Sequence, residues 1–224
     1  VVVEVMGGTN PAYTFVKSAL QNGKSVCTSN KELVAAHGAE LMRVAKENNV
    51  NFLYEASVGG GIPIIRPINR SMTSDKIEEI TGILNGTTNY MLTKMTEEDL
   101  EYNDVLSDAQ AKGYAERNPD ADVEGYDACR KIAILASLAT EKTVSYDEIY
   151  TEGITHISKT DIAYVKKMGG VVKLLAKAEF DGDKVWAMVA PTIVMPDNPL
   201  SMVNHVFNGI LLKGNMLGDV MFYG

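Results

Sequence analysis

The chain has no G-x-G-x-x-G, and its triple glycine at 59–61 is not followed by Gly-Lys-Ser/Thr, so it carries neither a dinucleotide phosphate loop nor a P-loop. No apolar run approaches the roughly 18 residues that a membrane-crossing helix needs. The start lacks a basic stretch followed by an apolar one, so it does not read as a signal peptide. There are only two cysteines, Cys27 and Cys129, both in apolar patterns. That excludes a disulfide framework and is read as two buried thiols in a reducing compartment, hence the cytoplasm. Basic residues number 21 against 29 acidic ones, and the net charge of -8 argues against a nucleic-acid or anionic-membrane partner. The three histidines, His37, His156 and His205, have no metal-ligand spacing and are read as structural or exposed. No Ser-His-Asp elbow occurs. Trp186, the single tryptophan, lies in a strand pattern and is read as core, and the eleven methionines are read as core filler.

What is present fits a globular protein. Hydrophobic residues make up 46% of 224, enough to bury a sizeable core. The opening VVVEVM is an apolar strand pattern, followed by a helix from Pro11 to Asn22, a strand KSVCTS, a long helix KELVAAHGAELMRVAKENN and a strand NFLYEAS. Strand and helix alternating over short connections predict a parallel sheet, part of an α/β fold. After Gly59-Gly60-Gly61 and Pro63 the pattern changes. KIEEITGIL reads as a strand, NYMLTKM and DLEYNDVLSDAQAKG as helices, and a helix is expected from about 124 to 139. TDIAYVKKM is helical, VVKLLAKAEF and VWAMVAPTIV flank a DGDK turn as a hairpin, and FNGILLKG and DVMFYG end the chain as strands. The expected architecture is a partial Rossmann-type parallel sheet (1–58) joined to an α+β domain with a mixed, mostly antiparallel sheet (59–224). With no initiator Met and no tail, the sequence reads as a piece of a longer protein.

Four stretches could carry chemistry. In TSNKELV, Ser29 and Glu32 have capping-box spacing, which sets Lys31 in the first turn of a helix that follows a strand. The macrodipole disfavours a cation there, yet the carboxyl end of a parallel strand is where α/β proteins bind ligands. In EASVGGGIP the backbone can approach a ligand closely, giving either a tight turn or an oxygen-lined cation site with Glu55. Asn85-Gly86-Thr87 in GILNGTTNY matches a glycosylation sequon, discounted for want of any sign of secretion. It is read as a plain N-cap or as an anion-binding helix start. In RNPDADVEGYDACRK, a helical pitch places Asp127, Lys131, Ile134, Leu135 and Leu138 on one arc, with Arg130 and Ser137 on the polar side. Charges on an aliphatic face must be paired, and a partly buried lysine can move a proton near neutrality. The stretch therefore suggests a site for a small amphoteric molecule, with Asp120 and Glu124 left as surface charge.

The stretches VVVEVMGGTNPAY, TSNKELVAAHG, YEASVGGGIPIIRP, GILNGTTNYML, AKGYAE, DVEGYDACRKIAILA and GDVMFYG together resemble the catalytic portion of homoserine dehydrogenase, in the family's order and over essentially the whole chain. That family interconverts L-aspartate 4-semialdehyde and L-homoserine with NAD(P)(H), in the synthesis of threonine and methionine. The resemblance implies Lys131 as the proton donor and Lys31 as a lysine between nicotinamide and substrate. It implies Glu116, Asp127 and Asp122 as substrate ligands, with Tyr114, Thr87 and Gly86 lining the pocket, and Gly113, Gly7 and Thr28 as cofactor contacts. It further implies a monovalent-cation site, sodium, at Glu55 and the carbonyls of Val58, Gly60 and Ile62, and a homodimer or higher oligomer. Without its phosphate loop the chain alone is expected to show little turnover. Two other readings compete. One is a non-catalytic dimeric amino-acid-binding module. The other, a semialdehyde dehydrogenase with a cysteine nucleophile, is disfavoured because Cys129 falls off the Asp127–Lys131 arc and Cys27 precedes the helix cap.

Overall fold

The computed structural model describes residues 1–72 and 74–224. The first quarter alternates as its periodicity predicts: β1 (Val2–Glu4), α1 (Ala12–Gln21), β2 (Val26–Thr28), α2 (Lys31–Glu47) and β3 (Phe52–Leu53). The strands form a parallel sheet in the order β1-β2-β3, with Val3, Cys27 and Leu53 in register. Helices α1 and α2 cover one face through Ala12, Val16, Leu20, Leu33, Val34 and Leu41. The other face is open, so Val3 and Leu53 are exposed, and so is Cys27 between them. The expectation of two buried thiols thus holds for Cys129 and fails for Cys27. An apolar strand has two faces, and its pattern does not say which one a helix will cover.

The rest of the chain builds a second sheet. Its elements are β4 (Ile77–Ile83), α3 (Gly86–Glu98), α4 (Tyr102–Ala111), α5 (Asp120–Val123), α6 (Tyr126–Thr140), β5 (Tyr150–Thr151), α7 (Lys159–Lys167), β6 (Val171–Asp181), β7 (Lys184–Val194), β8 (Gly209–Gly214) and β9 (Gly218–Tyr223). The strand order is β5-β7-β6-β4-β8-β9, antiparallel except for the parallel β5–β7 pair. The molecule is therefore α/β, with a parallel sheet beside a mixed, mostly antiparallel one. The hairpin expected around DGDK is the β6–β7 pair, in register from Val171↔Val194 to Asp181↔Lys184.

Helices α3, α6 and α7 pack on one face of this sheet, and α6 also packs against α2. Helix α6 is therefore the strut between the two sheets. On the opposite face Leu200 and Val203 cover Ile83, Leu175 and Val194 in a small buried cluster, and the rest of that face is open. Trp186 lies half exposed on β7 and is not core. The strand alternation was correctly read, but the face was not. The methionines divide likewise: Met72, Met91 and Met95 are buried, while Met6, Met168, Met202 and Met216 are exposed. No helix among the described residues is long and apolar enough to cross a membrane.

Candidate active site

The site forms where the first turn of α2 meets the first turn of α6. Asp127, buried on α6, receives Lys31 at 2.9 Å on Oδ1 and Lys131 at 2.6 Å on Oδ2. Lys131 also donates to the carbonyl of Leu84 at 2.7 Å, just past the end of β4. The i,i+4 pair is thus no solvated bridge, since Asp127's side chain is 5% exposed and Lys131's 17%. The aliphatic arc read from the sequence exists: Ile134 and Leu135 are buried behind the pair.

A second layer holds the carboxylate in place. Asn85 donates its amide to Asp122 Oδ1 at 2.7 Å and Asp127 Oδ2 at 3.0 Å, while its Oδ1 caps α3 by accepting from Thr88 N at 2.9 Å. With both ends of its side chain engaged and 6% exposure, Asn85 cannot serve as a glycan acceptor in this fold. Sequence reasoning treated Asn85 as a cap or sequon and missed its grip on the carboxylates. The available signal was the pairing of an N-cap with a Gly-Thr helix start directly after an apolar strand.

Electrostatics follow from this geometry. Burial pushes the Asp127 carboxyl up, but the Lys131 charge, the Asn85 amide and the Lys31 ammonium outweigh it and hold the carboxyl below its ordinary value. Asp122 moves the other way, because burial raises it and Asn85 offsets only part of that, with Asp127 a like charge nearby. Burial disfavours the Lys31 charge, yet contact with Asp127 raises its pKa overall.

The next wall is the turn after α4. Gly113 has φ +76, and the Tyr114 carbonyl accepts from Thr87 Oγ1 at 2.6 Å, which ties this turn to the first turn of α3. Tyr114 stacks edge-on against Tyr90 and is otherwise exposed. Glu116 lies two residues on, exposed. Among the described residues its carboxylate pairs with no cation, and it joins the network only through its carbonyl, which accepts from Gln110 Nε2 at 3.1 Å.

On the other side of Lys31, at the carboxyl ends of β1 and β2, a cleft of about 290 Å³ is lined by Gly7, Gly8, Asn30 and Lys31 among others. Gly7 and Gly8 hold φ of +76 and +68, a conformation that glycine adopts without strain. The helix cap here differs from expectation. Asn30, not Ser29, is the N-cap, accepting from Leu33 N at 3.1 Å and donating to the Gly8 carbonyl at 2.7 Å. Lys31 accordingly occupies the first position of α2. The Thr28 hydroxyl donates to buried Glu4 Oε2 at 2.6 Å and accepts from Asn30 N at 2.9 Å, so it has no hydrogen left to donate to a ligand.

Glu55 sits in a turn that begins at β3. Its Oε1 accepts from Ile64 N and Ile65 N at 2.7 and 2.8 Å, and its Oε2 from Arg66 N at 2.9 Å. Among the described residues no hydrogen bond reaches the carbonyls of Val58, Gly60 or Ile62. The unbonded carbonyls of Val58, Gly60 and Ile62, and the Glu55 carboxylate with a lone pair to spare, are oxygen donors of the kind a hard cation takes. No cluster of three or more His, Cys, Asp or Glu side chains suited to a metal occurs among the described residues.

Comparison with known proteins is consistent over the whole chain. Residues 1–55 match the NAD-binding domain of homoserine dehydrogenase, and residues 63–224 match the homoserine dehydrogenase family proper. A homoserine dehydrogenase of Synechocystis sp. is 46% identical over 228 residues, covering 100% of this chain and 53% of the relative. The crystal structure of one from Thiobacillus denitrificans superimposes with a TM-score of 0.96 at 38% identity, over 100% of this chain and 52% of that one. A hyperthermophilic archaeal homoserine dehydrogenase in complex with NADPH superimposes at 0.86 and 31% identity, over 99% of this chain and 65% of that one. The chain spans about half the length of the curated relatives it matches.

Proposed function

The chain belongs to the homoserine dehydrogenase family, and from that membership we propose that it forms the catalytic part of an enzyme interconverting L-aspartate 4-semialdehyde and L-homoserine with NAD(P)(H). The observation that carries this reading is the Asp127 carboxylate shared by Lys31 and Lys131, one lysine from each half of the molecule. Residues 1–58 contribute part of the cofactor-binding domain, and 59–224 form the substrate-binding and dimerisation domain. Gly7, the Thr28 backbone, Lys31 and Gly113 hold the cofactor, which supplies the hydride when bound.

An ammonium has three N–H donors. Lys131 uses two of them on Asp127 and the Leu84 carbonyl, which aims the third at the substrate oxygen. In the reducing direction Lys131 gives that proton to the aldehyde oxygen as hydride reaches the carbon. In the oxidising direction it takes the proton from the hydroxyl. Glu116, Asp122 and Asp127 receive the substrate ammonium, while Gly86, Thr87 and Tyr114 shape the pocket, and Lys31 stands between cofactor and substrate. A monovalent cation, sodium, binds Glu55 and the carbonyls of Val58, Gly60 and Ile62, bracing the junction of the two halves. The open face of the second sheet, with Trp186 exposed, is the dimer contact. The enzyme is cytoplasmic and serves threonine and methionine synthesis.

Steady-state assay of the full-length protein with L-homoserine and NAD(P)⁺ tests the reading. Turnover that collapses in Lys131→Ala and Asp127→Ala supports it. Absence of homoserine turnover in the wild type, or undiminished turnover in both variants, refutes the assignment.

A further inference from the structure

Lys173, on β6, is the one lysine the proposed chemistry leaves unused although it is buried to 2% exposure. Among the described residues no carboxylate pairs with it, and Glu97 acts on it only through its charge at longer range. Its ammonium instead donates to three neutral oxygens: the Val203 carbonyl at 2.5 Å, Asn204 Oδ1 at 2.8 Å and Asn89 Oδ1 at 3.2 Å. Burial lowers its pKa to about 8, which reflects the strain of holding a cation there without a counter-ion. A lysine in such a place must be matched to its acceptors, and all three donors are.

The acceptors belong to two segments. Asn89 lies on α3, and its own amide donates to the carbonyls of Val203 at 3.1 Å and Phe207 at 3.0 Å. The backbone of His205 donates to Thr93 Oγ1 at 3.0 Å, one turn further along α3. Residues 203–207 are thus fastened along α3, with Lys173 at the centre of the seam. The seam runs to the start of that helix, where a Cβ on Gly86 would lie 2.7 Å from the Val206 carbonyl. Gly86 follows Asn85, whose amide holds Asp122 and Asp127. Strand β8 begins just past this segment and pairs Gly209 with Ile83, beside the Leu84 carbonyl that receives Lys131.

We propose that Lys173 is a positioning residue for the amino-alcohol substrate: by locking residues 203–207 onto α3 it fixes where Asn85, Gly86 and Thr87 stand in the pocket wall. Lys173 touches neither substrate nor cofactor and acts through this wall. The cofactor cleft at Gly7, Gly8 and Asn30 lies on the other sheet, so the effect falls chiefly on the amino-acid side. The proposal rests on the homoserine dehydrogenase reading above.

The test is steady-state kinetics of the full-length enzyme with L-homoserine and the nicotinamide cofactor varied in turn. Two variants are used, Lys173→Met, which keeps the length and removes the donors, and Asn204→Ala, which removes one acceptor on a half-buried loop and leaves Lys173 in place. Lys173→Met is expected to raise KM for homoserine about tenfold, because small displacements of a positioning wall are felt strongly. The value of kcat should stay within about threefold and KM for the cofactor should be unchanged. Asn204→Ala should move the same constant in the same direction by less. A purely structural role would lower the amount of active enzyme and leave both KM values alone. Unchanged KM for homoserine in folded Lys173→Met, or in Asn204→Ala if Lys173→Met does not fold, overturns the proposal. A wild-type enzyme inert toward homoserine instead overturns the functional reading, and the proposal with it.

Discussion

The ammonium of Lys31, at the first position of α2, lies 2.9 Å from Oδ1 of Asp127, in the first turn of α6. The parallel sheet and the mixed sheet are thereby joined by a charge pair at the candidate site, with Lys131 on the second oxygen of the same carboxylate. An acid at a helix start is favoured by the macrodipole, whereas a cation at the start of α2 is not, so the contact with Asp127 offsets the unfavourable placement of Lys31.

Asp127→Asn should destabilise the protein by about 3 kcal/mol, since two lysines would then face each other without a shared counter-charge. The pH window follows from the shifts. The Asp127 carboxyl is held below its ordinary value of 3.8, so its stabilising effect is full above that value and is lost as pH falls through the depressed one. Lys31 is raised above 10.5, so its share is full below that value and is lost as pH rises through the raised one. The stability difference between wild type and Asp127→Asn, measured by urea unfolding, should be flat between these limits and shrink below pH 3.8.

Asn85→Asp keeps an oxygen for the Thr88 amide and replaces the donor shared by Asp122 and Asp127 with a third negative charge. Catalytic efficiency toward homoserine should fall at least about tenfold while helix α3 stays capped. Asn85→Ala should lose about 1 kcal/mol of stability relative to wild type from the missing cap. Wild-type stability in Asn85→Ala would show that the cap is dispensable.

Lys131→Ala should lower kcat by roughly 100-fold or more, the usual scale for removing a positioned proton donor, with the smaller effect on substrate affinity. Lys31→Ala should raise the KM of both cofactor and substrate, since its side chain lies between the cleft at Gly7 and the Asp127 carboxylate. Matching kinetic profiles for the two variants would mean that the roles are not divided as proposed.

The 224-residue chain by itself contains no G-x-G-x-x-G. It should bind L-homoserine in calorimetry and form little or no NAD(P)H at steady state, because the pyrophosphate of the cofactor has no glycine-rich helix start to rest on. Turnover near that of a full-length enzyme would contradict this.

Much of the architecture was legible in the sequence because it is local. Period-two and period-3.6 patterns fixed the strands, the β6–β7 hairpin and the helices, and the aliphatic face under Asp127 and Lys131 could be read from pitch alone. What the sequence could not decide was which face of each sheet is covered. Cys27 and Trp186 sit in good strand patterns and are nonetheless exposed, because helices pack on the opposite side. Nor could it assign long-range partners for polar groups. The amide of Asn85 on two carboxylates, the amide of Asn30 on the Gly8 carbonyl, the Thr28 hydroxyl spent on Glu4, and Lys173 among three neutral oxygens all join residues distant in the chain. Local pattern says that a buried charge must be satisfied, and only the packing of sheet against helix decides by what.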